Sequence, residues 1–142
     1  MPKLGLIRAR QMIKYIFLMV CLIGLPISSL ADSLPPPSPS CYGNNGNPFC
    51  TYTGKVSRLY INNSNLILMY FESSIDVSSP AVYGWNINSG AAAALVISDG
   101  NSDFAKTFYS TALAAKLADK TVSIQMRNTT SGYLTVDRIW LN

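Results

Sequence analysis

The chain predicts a mainly β domain with one helix, and three observations carry that reading. Short runs rich in β-branched and aromatic residues alternate with Asn, Ser and Gly turns after residue 51. One stretch has helical periodicity, from about Asp103 to Asp119. A period-two run then follows after only Lys120.

Lys55–Ile61 (KVSRLYI) is the first strand candidate, and Asn62-Asn63-Ser64-Asn65 turns it directly into Leu66–Phe71 (LILMYF), so the pair reads as a hairpin. The second member is apolar at every position. Such a strand is either curled inside a barrel or covered by another subunit, because a half-exposed strand would alternate. Glu72–Pro80 reads as a loop and Val82–Ile87 (VYGWNI) as a short strand. Ala91–Ile97 (AAAALVI) stays ambiguous, since its alanines favour helix while Val96, Ile97 and the breaker Ser98-Asp99-Gly100 favour a buried strand.

In the helix, Phe104, Phe108, Ala112, Ala115 and the pair Leu113/Leu117 form an apolar stripe. Asn101 or Ser102 can cap it, and Asp103 complements the positive end of its dipole. Beyond it, Val122, Ile124 and Met126 point one way and Ser123, Gln125 and Arg127 the other. Asn128–Gly132 is a hairpin loop leading to Tyr133–Leu141. There Leu134 and Val136 share one face while Ile139 and Leu141 fall on the other. Either a bulge sits near Asp137-Arg138 or the two ends pack on different surfaces.

The order β-β-β-α-β-β suits a five-stranded OB-like Greek-key barrel with the helix between its third and fourth strands. An open sheet with one packed helix is the competing arrangement. Residues 51–142 are enough for one core, and no internal repeat is present.

The N-terminus has the pattern of an export signal. Lys3, Arg8, Arg10 and Lys14 precede an uncharged run from Tyr15 to Ile27, and Ser29-Leu30-Ala31 supplies small residues at the positions a signal peptidase reads. Residues 1–31 are therefore expected to be a signal peptide cut near Ala31, leaving a secreted or periplasmic bacterial protein. The run is shorter than the ~20 residues of a membrane span, so no stable span is expected after processing. Val20 is too bulky for the position before a lipidated Cys21. Residues 32–50 then comprise a proline-rich tether (DSLPPPSPS) and the loop CYGNNGNPFC, whose Cys41 and Cys50 form an even pair suited to a disulfide in an oxidising compartment. A reactive thiol pair or metal site fits less well, since the spacing is not Cys-x-x-Cys and the chain has no histidine.

Charge excludes one class of partner. The chain carries a formal +4, but four of its eleven basic residues lie in the signal, leaving seven basic against seven acidic from Asp32 onward. A neutral domain with no Lys/Arg stripe lacks the footprint of a nucleic-acid binder.

Chemistry is equally constrained. Without histidine there is no Ser-His-Asp triad, and the seven acids form no obvious pair. Asp99-Gly100-Asn101-Ser102-Asp103 opens like a calcium loop, but Phe104 replaces the required glycine and Ser110 the bidentate glutamate, so it reads as a turn and cap. The sequons at Asn62 and Asn128 are accounted for as turns. A non-enzymatic protein without cofactor or metal is expected.

Aromatic residues remain. Tyr42, Phe49, Tyr52, Tyr83, Trp85, Tyr133 and Trp140 lie in or near loops and strand ends, and aromatic faces beside hydroxyls and amides suit sugar recognition. Trp85, Tyr83 and Tyr133 are the ligand-binding candidates. The competing reading makes Trp85 and Trp140 core or interface residues.

Tyr109–Ile124 (YSTALAAKLADKTVSI) resembles the helix-to-strand segment of small secreted bacterial OB-fold proteins similar to the subtilase cytotoxin B subunit. The resemblance covers about the last 40 residues, with the Lys55–Phe71 hairpin matching by position only. It implies an OB-fold, rings of five and binding of sialylated glycans for delivery of a toxic partner. Both cysteines after the signal lie before the first predicted strand, unlike the bridges of those toxin subunits, and no glycan-contacting residue aligns. The expectation is a secreted binding module, glycan-binding and ring-forming. The alternative is an envelope structural protein or inhibitor with a protein partner.

Overall fold

A computed structural model describes residues 37–43 and 46–142; the expected signal peptide and most of the expected tether lie outside the described residues. The described chain is mainly β. Its elements are β1 (Ser40–Tyr42), β2 (Phe49–Ile61), β3 (Leu66–Phe71), α1 (Ser78–Ala81), β4 (Ala92–Val96), α2 (Ser102–Leu117), β5 (Thr121–Thr130) and β6 (Tyr133–Leu141).

Six strands form one sheet in the order β1-β2-β3-β4-β6-β5, and β5 also pairs with β2, so the pairings β2-β3-β4-β6-β5 close into a cycle. All neighbours are antiparallel except β4 and β6, which meet in parallel through Ala93–Leu134 and Ala94–Thr135. This departs from the expected five strands in three places. An additional strand, β1, pairs with the start of β2; Val82–Ile87 is not a strand; and a one-turn helix, α1, occupies part of the expected Glu72–Pro80 loop. The ambiguous alanine run is strand β4, because its alternate residues are buried on both faces of a sheet interior that leaves no room for a helix.

A bulge explains how one long strand serves two neighbours. From Cys50 to Lys55 β2 pairs with β5 and from Val56 onward with β3, and the register with β3 shifts between Val56 and Arg58. The bulged Ser57 offers its carbonyl to Lys116 Nζ of α2 at 2.6 Å, tying the helix to the bend. At 54 the side-chain-free residue lets the Tyr52 ring fold back along its own strand, since a Cβ there would stand 2.7 Å from that ring. Tyr52 is thereby held in the core, with its hydroxyl donating to Ser73 O at 2.8 Å.

The main core collects the inward residues of the sheet (Val56, Met69, Val122, Ile124, Met126, Leu134) around Phe108 of α2. Phe108, Ala112 and Ala115 are fully buried, but Leu113 is 36 % and Leu117 78 % exposed, so the buried stripe of α2 is narrower and richer in alanine than the sequence suggested. Asn101 is the N-cap without a side-chain cap bond; its Oδ1 accepts from Ser98 N instead. The helix ends in a Schellman arrangement, Lys120 N to Ala115 O and Asp119 N to Lys116 O, with Asp119 at φ 53° in the place glycine usually takes.

The apolar strand β3 is buried on both faces within this one chain. Ile67, Met69 and Phe71 enter the main core, while Leu68 packs outside it with Ala92 and Ala94 under Leu66, Tyr70 and Tyr133. The parity change in β6 is a bulge: Arg138 pairs with Gln125 and Val136 with Met126, leaving Asp137 out of register. The β5–β6 turn is tighter than expected, since Thr130 pairs with Tyr133 and only Ser131 and Gly132 lie between, at φ 53° and 79°. Positive φ at both central residues is the type I′ geometry that matches strand twist. Among the described residues no helix is long and apolar enough to cross a membrane.

Candidate functional site

Cys41 and Cys50 are directly opposed in the β1–β2 register and joined as a disulfide, with their Cα atoms 4.0 Å apart. The bridge belongs to a folded hairpin at the start of β2, so the expected first strand at Lys55 in fact begins at Phe49. A disulfide between such residues marks a non-reducing compartment.

The three aromatic candidates do not gather in one place. Tyr83 and Trp85 follow α1 with ring centroids 5.7 Å apart, and both pack half-buried on the main core. Tyr83 lies so close to Gly43 that a Cβ there would fall 2.5 Å from its ring, which makes it a clasp between the α1 turn and the β1 hairpin. Tyr133 belongs to the separate outer cluster over Leu68, Ala92 and Ala94. Burial first, and the neighbouring Tyr70 hydroxyl second, push the Tyr133 hydroxyl pKa upward.

A better-formed platform lies on the outer face of β2, β5 and β6. Alternation puts Tyr52, Ile124 and Ile139 inward, so the opposite residues face out in two rows, Thr51–Gln125–Arg138 and Thr53–Ser123–Trp140. Trp140 is 44 % exposed, directly across from Ser123. Its partly exposed indole stands on the same face as a chain of hydroxyls and an amide. Thr53 Oγ1 and Ser123 Oγ are 2.7 Å apart, and Asn142 Nδ2 donates to Ser123 Oγ at 3.0 Å and to Thr121 Oγ1 at 3.2 Å.

The other end of the platform is held by charge. At the β6 bulge, Asp137 Oδ2 accepts from Arg127 Nε at 2.7 Å and from Gln125 Nε2 at 3.2 Å, while Asp137 Oδ1 is buried without a partner. Arg127 reaches onward to Asn47 Oδ1 at 2.7 Å and lies over the Phe49 ring, 5.2 Å from its centroid. The disulfide hairpin therefore braces the arginine that fixes the bulge carboxylate. Near the far edge, Asp119 binds Lys55 Nζ through both oxygens at 2.8 and 2.9 Å. That hydrogen bond holds the Asp119 carboxyl below its usual range and raises the Lys55 amine.

Such a surface can stack one apolar face of a ligand and exchange hydrogen bonds with groups around it. Its polar members were visible as the alternating Ser123, Gln125 and Arg127, and Trp140 stood among the aromatic candidates. Their assembly was not visible, because it depends on which residues of β2 and β6 lie across from them.

No family model matches the chain, and no curated protein or solved structure matches it either.

Proposed function

We propose that the chain is an exported, non-enzymatic binding module that takes a glycan on the outer face of β2, β5 and β6. One observation carries this reading: Trp140 is half exposed and stands in register with the Thr53–Ser123–Asn142 hydrogen-bond chain. A sugar ring stacks its C–H face on an indole while its hydroxyls bond to such groups, so one surface meets both demands.

The architecture supports placing this module among OB-like Greek-key barrels. With β1 set aside as a hairpin extension, the strands in the closed cycle occur with α2 between their third and fourth members. Secretion or periplasmic residence, with cleavage near Ala31, is supported by the charged-then-apolar N-terminus and the disulfide. Assembly into rings, five-fold by the resemblance to toxin B subunits, belongs to the same proposal.

A second reading has its own support. Leu141, 52 % exposed beside Trp140, adds aliphatic surface that suits a protein partner better than a sugar. In that reading the module is an envelope structural protein or an inhibitor.

Screening the processed protein on a glycan array separates the two readings. Glycan binding that falls at least about tenfold in Trp140→Ala, in a variant that still unfolds cooperatively, is the expected result. An array without hits, or a folded Trp140→Ala protein that binds normally, ends the glycan reading; co-purification of one envelope protein would establish the other. Light scattering on the eluting protein tests the ring, and a clean monomer removes it.

A further inference from the structure

A second concavity lies apart from the platform residues. The start of α2, the adjoining ends of β2 and β3 and the segment after β4 border an open hollow of about 290 Å³ lined by Ile61, Ile67, Ile97, Ala105 and Tyr109, with Ser102 and Lys106 completing the wall. The lining is almost wholly apolar. Ile61 is 49 % exposed here, an aliphatic side chain presented to an open hollow.

Polar groups of the flanking turns are bonded to one another. Asn62 Oδ1 accepts from Ser64 N and Leu66 N, Ile97 N donates to Asn65 O, and Asn101 bridges Ser98 N and Val96 O at 2.8 Å each. Lys106 supplies the only full charge in the lining. Its partner is Asp103 Oδ1 at 3.0 Å, but the two side chains are 77 % and 95 % exposed, so this pair is weak and exchangeable.

We propose that this cavity binds a short saturated hydrocarbon chain with an anionic head group. The chain lies against the three isoleucines, Ala105 and Tyr109, and the head group takes Lys106 in place of Asp103. A volume at the low end of ordinary ligand pockets, about 300–1,000 Å³, suits one short chain, and walls without converging polar groups disfavour a sugar or peptide backbone. The single cation selects an anionic head over a neutral one.

Calorimetric titration of the processed protein with decanoate and with decanol tests this. Decanoate is expected to bind more tightly than decanol. Ala105→Leu, which grows from the cavity wall, is expected to weaken both at least about tenfold. Lys106→Gln, at an exposed position that leaves folding intact, is expected to weaken decanoate about two- to fivefold and leave decanol unchanged. Sedimentation with phosphatidylglycerol vesicles distinguishes a bilayer source from a free amphiphile: Lys106- and Ala105-dependent capture assigns the chain to a membrane lipid, and soluble binding without capture assigns it to a free acid. Absence of binding in both formats, equal affinity for the two ligands, or a folded Ala105→Leu protein that binds normally overturns the proposal. Should Ala105→Leu fail to fold, Ile61→Ser at the exposed lip replaces it with the same expected loss.

Discussion

Asp137 Oδ2 sits 2.7 Å from Arg127 Nε at the β6 bulge, where Asp137 stands out of register on the face where Arg127 lies. Gln125, only 6 % exposed, uses the same carboxylate oxygen as its acceptor at 3.2 Å. Arg127 in turn carries the connection to Asn47 and Phe49 in the disulfide hairpin.

This chain of contacts should be energetically coupled. Arg127→Gln and Asp137→Asn are each expected to destabilise, and the double variant to lose less than their sum by about 1 kcal/mol, since both groups are partly solvated. A double-mutant cycle in urea measures it. Additive losses would show that the two side chains only happen to be near each other.

Removal of the disulfide should matter more. The bridged residues are nine apart in sequence. Closing so small a ring restricts the unfolded chain enough to contribute about 2–3 kcal/mol. Cys41→Ser/Cys50→Ser is therefore expected to lower the melting temperature by roughly 10–20 °C on the scale of a 60–100-residue domain. Amide exchange should show β1 losing protection first; an unchanged melt would mean the hairpin holds without its bridge.

Helix α2 offers a contrast between two large apolar residues. Phe108 is fully buried, so Phe108→Ala is expected to cost about 3–5 kcal/mol through lost burial and a residual cavity. Leu113, 36 % exposed, is expected to cost less than about 1 kcal/mol on the same change. Equal losses in chemical denaturation would contradict the packing described above.

At the platform, Ser123 Oγ is the meeting point of Thr53 and Asn142. Ser123→Ala should weaken glycan binding about three- to tenfold with little change in melting temperature, as expected for loss of one partly exposed hydrogen bond. Binding that survives unchanged would move the ligand elsewhere on the sheet.

Asp76 links the end of the tether to the α1 turn and sets an acid response. Its carboxylate accepts from Ser78 N at 2.9 Å, Ser78 Oγ at 2.8 Å and Ser38 Oγ at 2.9 Å, and these bonds hold its pKa below the ordinary range. A folded-state pKa below the unfolded value of about 3.9 means the contribution is complete above that value and is lost as pH falls through the lower folded pKa. Carboxyl titration followed by NMR should place Asp76 below the ordinary aspartate range, and Ser78→Ala should return it upward. A normal titration would show that these bonds do not persist in solution.

Much of the fold could be read from local pattern. The alternation in Val122–Arg127, the helix near Asp103–Asp119, the hairpin turn at Asn62–Asn65 and the bulge near Asp137 each rest on spacing over a few residues. Val82–Ile87 failed because its short aromatic run looks like a strand; Gly84, at φ 74°, sits in a turn after α1 instead. Leu113 and Leu117 failed for a different reason. Helical period placed them within the apolar stripe, but how wide a stripe is covered depends on the surface facing it, and the residues of this helix buried against the sheet are Ala105, Phe108, Ala112 and Ala115.

The sequence by itself determined the parts that depend on near neighbours: a mainly β chain, its one long helix, a cysteine pair able to close, and a polar alternate face on β5. Only the tertiary structure decided that Trp140, Ser123 and Thr53 share a row while Tyr133 stands apart from Tyr83 and Trp85. Strand partners are chosen over long separations, and a one-residue change of register moves every side chain to the opposite face. Side-chain chemistry written along the chain therefore becomes a surface only once register is set.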